Sequence, residues 1–184
     1  CHVSQLSTNY DPAEMTYQTE WHEPGINCET CHGPAEEHIR AFAEADSGVV
    51  LPDVKIISTK TFTADQHNSS CGSCHAKMIP ITATFTPGEY FYNAFDLITP
   101  ENPDFYPDGR DLGENYTYSS WEMNACKEKG SLHCVSCHTS SGGYKFIEKP
   151  NDACLPCHES RVRDPRPHTG HDPAGAGGRC VGCH

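Results

Sequence analysis

Residues 28–32 read Cys28-Glu29-Thr30-Cys31-His32, and the outline Cys-x-x-Cys-His returns at Cys71–His75, Cys134–His138, Cys154–His158 and Cys180–His184. With 12 Cys and 12 His among 184 residues, random placement would give about 0.05 copies of the pattern. Five copies are therefore a built feature. Two thiols three positions apart on one helical turn can each add to a vinyl group of one porphyrin, and the next residue then offers an imidazole to the iron. The spelling is that of covalent c-type haem attachment.

Zinc is the main rival. Cys134 and Cys137 are separated from Cys154 and Cys157 by 16 residues, a spacing that suits a four-cysteine zinc site. A tetrathiolate site gives no reason for a histidine after every second cysteine, and neither does a disulfide framework. The motifs therefore predict haem c, with thioethers at Cys28, Cys31, Cys71, Cys74, Cys134, Cys137, Cys154, Cys157, Cys180 and Cys183. The proximal iron ligands are His32, His75, His138, His158 and His184.

Apolar residues make up 36% of the chain and mean hydropathy is −0.62, low for a domain with a side-chain core of its own. Porphyrins, large apolar plates, would supply the missing core. Fourteen Pro and fifteen Gly interrupt the chain repeatedly. The expected fold is mostly irregular, with a few short α-helices, little or no β, and a haem-filled core. It is read as a single multihaem cytochrome c domain or segment over residues 1–184.

No stretch reaches the 18 apolar residues of a membrane span, and no signal peptide is visible. Thioether attachment takes place outside the cytoplasm, so the expected location is periplasmic, cell-surface or extracellular in a prokaryote, with an export signal removed. The net charge of −12 argues against nucleic acid and anionic lipid as partners. Residues 1–126 hold 5 basic and 19 acidic residues, net −14, whereas residues 127–184 hold 8 and 6, net +2. One end could dock the other end of a copy; the plainer reading is a solvated acidic face.

Cys1 and His2 read as the last two letters of a sixth motif, with a thioether through Cys1 and a proximal bond from His2. The alternative makes Cys1 the lipid-modified start of a lipoprotein, which leaves His2 unexplained. The other end stops on His184, so the sequence is expected to be a segment of a longer chain.

Along the chain, Asp11-Pro12 and Glu23-Pro24-Gly25 read as turns. Pro34 to Ala45 reads as a helix, with Glu36 and Glu37 in its first turn and Ile39, Phe42 and Ala43 on one face. Val49 to Ile57 reads as a short extended segment. Residues 76–133 hold 10 of the 17 aromatics, suited to porphyrin faces and to core packing alike. Asp104, Asp108, Asp111 and Glu114 lie in the loop 100–115 without calcium-loop spacing and read as solvated acids. A second helix is expected from Trp121 to Lys129, with Ser119 and Glu122 as a capping box and Gly130 closing it. Gly175 to Gly178 is a loop lacking the strand and helix of a phosphate site.

Six histidines lie outside motifs: His22, His38, His67, His133, His168 and His171. Were Cys1 and His2 a sixth site, these would supply one distal imidazole per iron and close every iron against substrate. His38, His168 and His171 are the best placed; His133, next to Cys134, would serve a neighbouring haem. Met15, Met78 and Met123 are alternative axial ligands with an ordinary packing role as the plainer reading. Cys126, outside every motif, is expected to pack as a small buried residue on the face of Met123; a thiolate ligand or a disulfide to Cys1 is the minority reading.

The stretches TEWHEPGINCETCHGPAEEHI (19–39), PDGRDLGENYTYSSWEMNACKEKGSLHCVSCHTSSGGYKF (107–146) and NDACLPCHESRVRDPRPHTGHDPAGAGGRCVGCH (151–184) resemble secreted multihaem c-type cytochromes. The group they look most like is related to the tetrahaem cytochrome of nitrification and to octahaem oxidoreductases. That resemblance implies closely stacked haem pairs and electron transfer, although some relatives are enzymes with an open iron. The leading expectation is electron transfer along neighbouring bis-histidine haems to redox partner proteins or an extracellular acceptor, with a conduit or head-to-tail homopolymer as a particular form. The alternatives are an oxidoreductase of small nitrogen or sulfur compounds with one open haem, and a haem-stabilised structural module.

Overall fold

Helices in the computed structural model, which describes residues 3–4, 6–112 and 116–183, are short, and two of those described end at a motif histidine. The longest described is Ala64–His75, at 12 residues, and the strands run two or three residues. The fold is mostly irregular with small helices, as the Pro and Gly content predicts. The chain divides into two compact units, one reaching to His133 and the other beginning at Cys134.

In the first unit an antiparallel ribbon runs from Val3 to Pro24. Val3–Ser4 pairs with Glu23–Pro24, Ser7 bridges to Glu20, and Tyr10–Asp11 pairs with Thr16–Tyr17. Its turn is built by Asp11, whose Oδ1 accepts the Ala13 backbone N–H at 2.8 Å. The rings of Tyr10 and Tyr17 face across the strands at 4.7 Å. A polar ribbon of this kind lacks apolar alternation, so its sequence reads as turns alone.

The side-chain core of this unit rests on the helix Ala64–His75. Thr63 and Gln66 cap that helix reciprocally, a capping box that opens the motif helix. Phe91 lies 4.6 Å from Tyr118 and 5.1 Å from Phe95, ring centre to ring centre, and Ala76, Met78 and Leu97 close around them. Ser69 Oγ accepts the Phe91 backbone N–H at 2.9 Å, which fixes the aromatic cluster to the helix. Among the described residues only five apolar side chains are buried, while twenty large apolar ones stand exposed. This surface pattern is the structural face of the low hydropathy: the protein's own side chains make a core around one motif helix and little more.

Several elements differ from the sequence reading. The helix expected over Pro34–Ala45 forms as Glu36–Glu44, with Ile39 and Phe42 exposed, because Ala35 stands at its cap and gives its N–H to Glu29 Oε1 at 2.7 Å. The helix expected from Trp121 to Lys129 is two helices, Tyr118–Glu122 and Ala125–Gly130. Asn124 breaks it with an extended backbone and a side chain that accepts the Cys126 N–H at 2.8 Å. Ser119 does not cap; its hydroxyl donates to Ile98 O at 3.1 Å. Cys126 and Met123 are exposed, so the expected buried packing of Cys126 does not hold. Among the described residues Val49 to Ile57 pairs with no strand; its end is bound to the first motif instead.

Gly72 sits inside the second motif, where a Cβ would lie 2.7 Å from the Tyr118 ring. Gly72→Ala is therefore expected to overpack the cluster and to cost about 1–3 kcal/mol, read as a lower denaturation midpoint in the intact protein.

Candidate functional site

The first motif occupies a single turn, the helix Cys28–His32. Asn27 Oδ1 accepts the Thr30 N–H and Thr30 Oγ1 accepts the Asn27 N–H, each at 3.1 Å, so the turn is capped at its start. It ends at Gly33, in the left-handed region at φ 71°, whose N–H bonds Glu29 O. Cys28 and Cys31 thus share one face of the turn. His32 Nδ1 donates to Ile57 O at 2.8 Å. A carbonyl only accepts, so the proton sits on Nδ1 and Nε2 keeps its lone pair, the form that binds iron.

The second motif ends the helix Ala64–His75 and stands beside the first. Burial pushes the Cys31 thiol up, and Cys71, Cys74 and Cys28 push it the same way, so the two motifs gather their sulfurs in one place. Next to Cys74 opens a cleft of about 630 Å³ walled by Thr30, Met78, Phe85, Phe95 and Ile98. Lys77 lies at its edge, paired with Asp104 Oδ2 at 2.6 Å and 5.1 Å above the Phe105 ring. The lining is mixed, with Ser73, Thr82 and Asn102 beside the apolar side chains.

The second unit gathers three motifs around Tyr144. The helix Cys134–Cys137 carries the third motif, and His138 Nδ1 donates to Gly142 O at 3.0 Å, again leaving Nε2 available. The fourth motif spans the turn Pro150–Cys154 and the helix Leu155–Arg163, which kinks at His158. Cys180–Gly182 forms the turn of the fifth. Asn151 joins the last two motifs: its Nδ2 donates to Gly178 O and its Oδ1 accepts the Cys180 N–H, both at 2.8 Å. The Tyr144 hydroxyl donates to Pro150 O at 2.9 Å, and its ring stands 5.6 Å from that of His138. Burial pushes the Tyr144 hydroxyl up, and Cys137, Cys154 and Cys180 add to the effect, so one tyrosine is within reach of three motifs. Neither Tyr144 nor Asn151 lies in a motif, and neither carries a pattern in the sequence that marks it.

The spare histidines fall into distinct surroundings. His38 Nδ1 donates to Val54 O, and its ring lies 4.8 Å from Phe42 on the exposed apolar face of the helix Glu36–Glu44. His67 and His133 stack at 4.4 Å with planes 13° apart, and burial pushes His67 down, which keeps its imidazole neutral. His22 is exposed at the open end of the ribbon, and His168 is exposed on the helix Arg166–Thr169. The His171 ring lies across Gly177, where a Cβ would come within 2.5 Å of it. Met15 and Met123 are exposed and Met78 packs on the aromatic cluster. Asp104 is paired with Lys77 and Asp108 with Arg110. Cys1, His2, Glu114 and His184 lie outside the described residues.

The motif turns fit c-type haem on two counts of this structure. Paired thiols lie on single turns followed by a histidine, and two of those histidines are held through Nδ1 by a backbone carbonyl.

No known family model matches the chain, and no curated protein matches it. A solved structure, that of the outer cell wall cytochrome OcwA, is similar at 21% identity and a TM-score of 0.46. The match covers 77% of this chain and 32% of that one, so the chain spans about a third of that protein's length.

Asn151→Ala removes both bonds that tie the fifth motif to the fourth. It is expected to cost about 1–3 kcal/mol in denaturation of the intact protein, with the Cys180 turn becoming the first to exchange its amide hydrogens.

Proposed function

We propose that the chain is a multihaem c-type cytochrome that carries electrons along neighbouring haems. The observation that carries this reading is the five-fold Cys-x-x-Cys-His motif, with thiols on single helical turns and with His32 and His138 held in the iron-binding tautomer. Bound haem supplies one-electron redox chemistry at each iron. The chain's part is to fix each group through two sulfurs and one imidazole and to keep the groups close: Cys31 shares its surroundings with Cys71 and Cys74, and Tyr144 with Cys137, Cys154 and Cys180.

His22, His38, His67, His133, His168 and His171 are the proposed distal ligands, and Cys1 with His2 the proposed sixth attachment point. Closed, six-coordinate irons exchange electrons and leave no position for a substrate. Export to the periplasm, cell surface or exterior follows from thioether haem chemistry, and among the described residues no helix is long and apolar enough to cross a membrane. The charge split, net −14 over residues 1–126 and +2 over 127–184, favours redox partners of opposite charge and allows head-to-tail assembly of copies. The match of six spare histidines to six proposed attachment points speaks against the second reading, an oxidoreductase with one open haem acting on small nitrogen or sulfur compounds.

Electron paramagnetic resonance of the oxidised protein tests the reading: low-spin signals alone are expected. A high-spin ferric fraction near one haem per chain would replace the carrier with the oxidoreductase. Intact mass with a pyridine haemochrome assay is expected to give at least five haems, and six if Cys1 and His2 bind one.

A further inference from the structure

Between the helix Glu36–Glu44 and the second motif, residues 53–57 form a strap that touches two imidazoles. Ile57 O accepts the proton of His32 Nδ1 at 2.8 Å, and Ile57 N–H returns a bond to His32 O at 3.0 Å. Three residues earlier, Val54 O accepts from His38 Nδ1 at 2.5 Å. Gly33, immediately after His32, leaves room for the Ile57 side chain: a Cβ there would lie 2.9 Å from Ile57 Cδ1. The strap is thus pinned to the first motif by one backbone bond, one bond from the His32 imidazole and one close contact.

Its shape depends on one local device. Lys55 stands in the left-handed region at φ 54°, a conformation a lysine does not adopt without support. Asp53 supplies that support twice, accepting the Lys55 N–H on Oδ1 at 2.9 Å and pairing with Nζ through Oδ2 at 2.6 Å. The Lys55 bonds hold the Asp53 carboxyl below the usual carboxylate range. Both side chains are largely exposed, and neither touches a motif cysteine or histidine in the contacts described. They face solvent, with Val54 between them and Ile57 two residues beyond Lys55.

We infer that Asp53 and Lys55 are positioning residues for two imidazoles at once: through the Val54 and Ile57 carbonyls they fix His32 and His38 in the same Nδ1-protonated tautomer, so that both present Nε2 to iron. The inference rests on the haem reading above. A bond from Nδ1–H to a carbonyl makes the imidazole a stronger donor and favours the ferric state, so loosening the strap raises the reduction potential of the haems these residues ligate.

The test uses the haem-loaded protein with Asp53→Ala, Asp53→Asn and His38→Ala. Asp53→Ala is expected to bind the full haem complement by intact mass, to shift upward the potentials of the haems served by His32 and His38, and to alter their low-spin resonance signals. Asp53→Asn keeps an acceptor for the Lys55 N–H and is expected to restore most of the shift. His38→Ala is expected to convert about one haem per chain from low to high spin. Unmoved potentials and signals in Asp53→Ala would overturn the strap's role while leaving the haem reading in place. An unchanged spin state in His38→Ala would overturn the two-imidazole inference in the same way. A wild-type chain that carries no haem by mass would overturn both.

Discussion

A Cys-x-x-Cys-His motif constrains the backbone at one place only: two sulfurs must face the same side of a single turn, and the next imidazole must reach the iron of the porphyrin they hold. Long helices are unnecessary for that and would keep successive motifs apart. The chain meets the constraint with short turns that stop at the histidine. Gly33 stops the first by entering the left-handed region, the kink at His158 interrupts the fourth, and the helix Ala64–His75 ends on its own motif histidine. Everything between motifs has the freedom to be irregular, and most of it is.

Irregular chain has to be held by something other than regular hydrogen bonding. In the first unit the holding is partly conventional, with Phe91, Phe95 and Tyr118 packed over Gly72 on the motif helix. Elsewhere it is done by single polar residues reaching across the chain: Asn151 to Gly178 and Cys180, Gln66 to Gly88, Tyr144 to Pro150. Five buried apolar residues among those described are few for a chain of this length, and under the proposed function porphyrin faces cover the apolar side chains that the protein leaves outside.

The motif cysteines and histidines were legible because their pattern is local and chemical: it is spelled in five consecutive letters and needs no partner to be recognised. The helix at Glu36–Glu44 was legible for a similar reason, as period and first-turn acids lie within one window. What escaped depends on distant or side-chain geometry. The break at Asn124 turns on one Asx bond inside a sequence that reads as continuous helix, and the exposure of Cys126 follows from that break. The ribbon from Val3 to Pro24 carries no apolar alternation to announce it. Asn151 and the strap at 53–57 acquire meaning only once residues 16 to 29 positions away are brought beside them, and Tyr144 only once the cysteines of three motifs surround it. Under the proposed function the pairing of distal histidines with irons is likewise a long-range property, and the spare histidines carry no spacing rule that would reveal it.

Under the proposed function, haem supplies the core that side chains do not. Thermal unfolding followed by circular dichroism, on the chain made where haem is not attached, tests it most directly. The account predicts a broad, non-cooperative melt for that chain, against a cooperative transition in the haem-loaded protein. A sharp cooperative transition in the haem-free chain would contradict it.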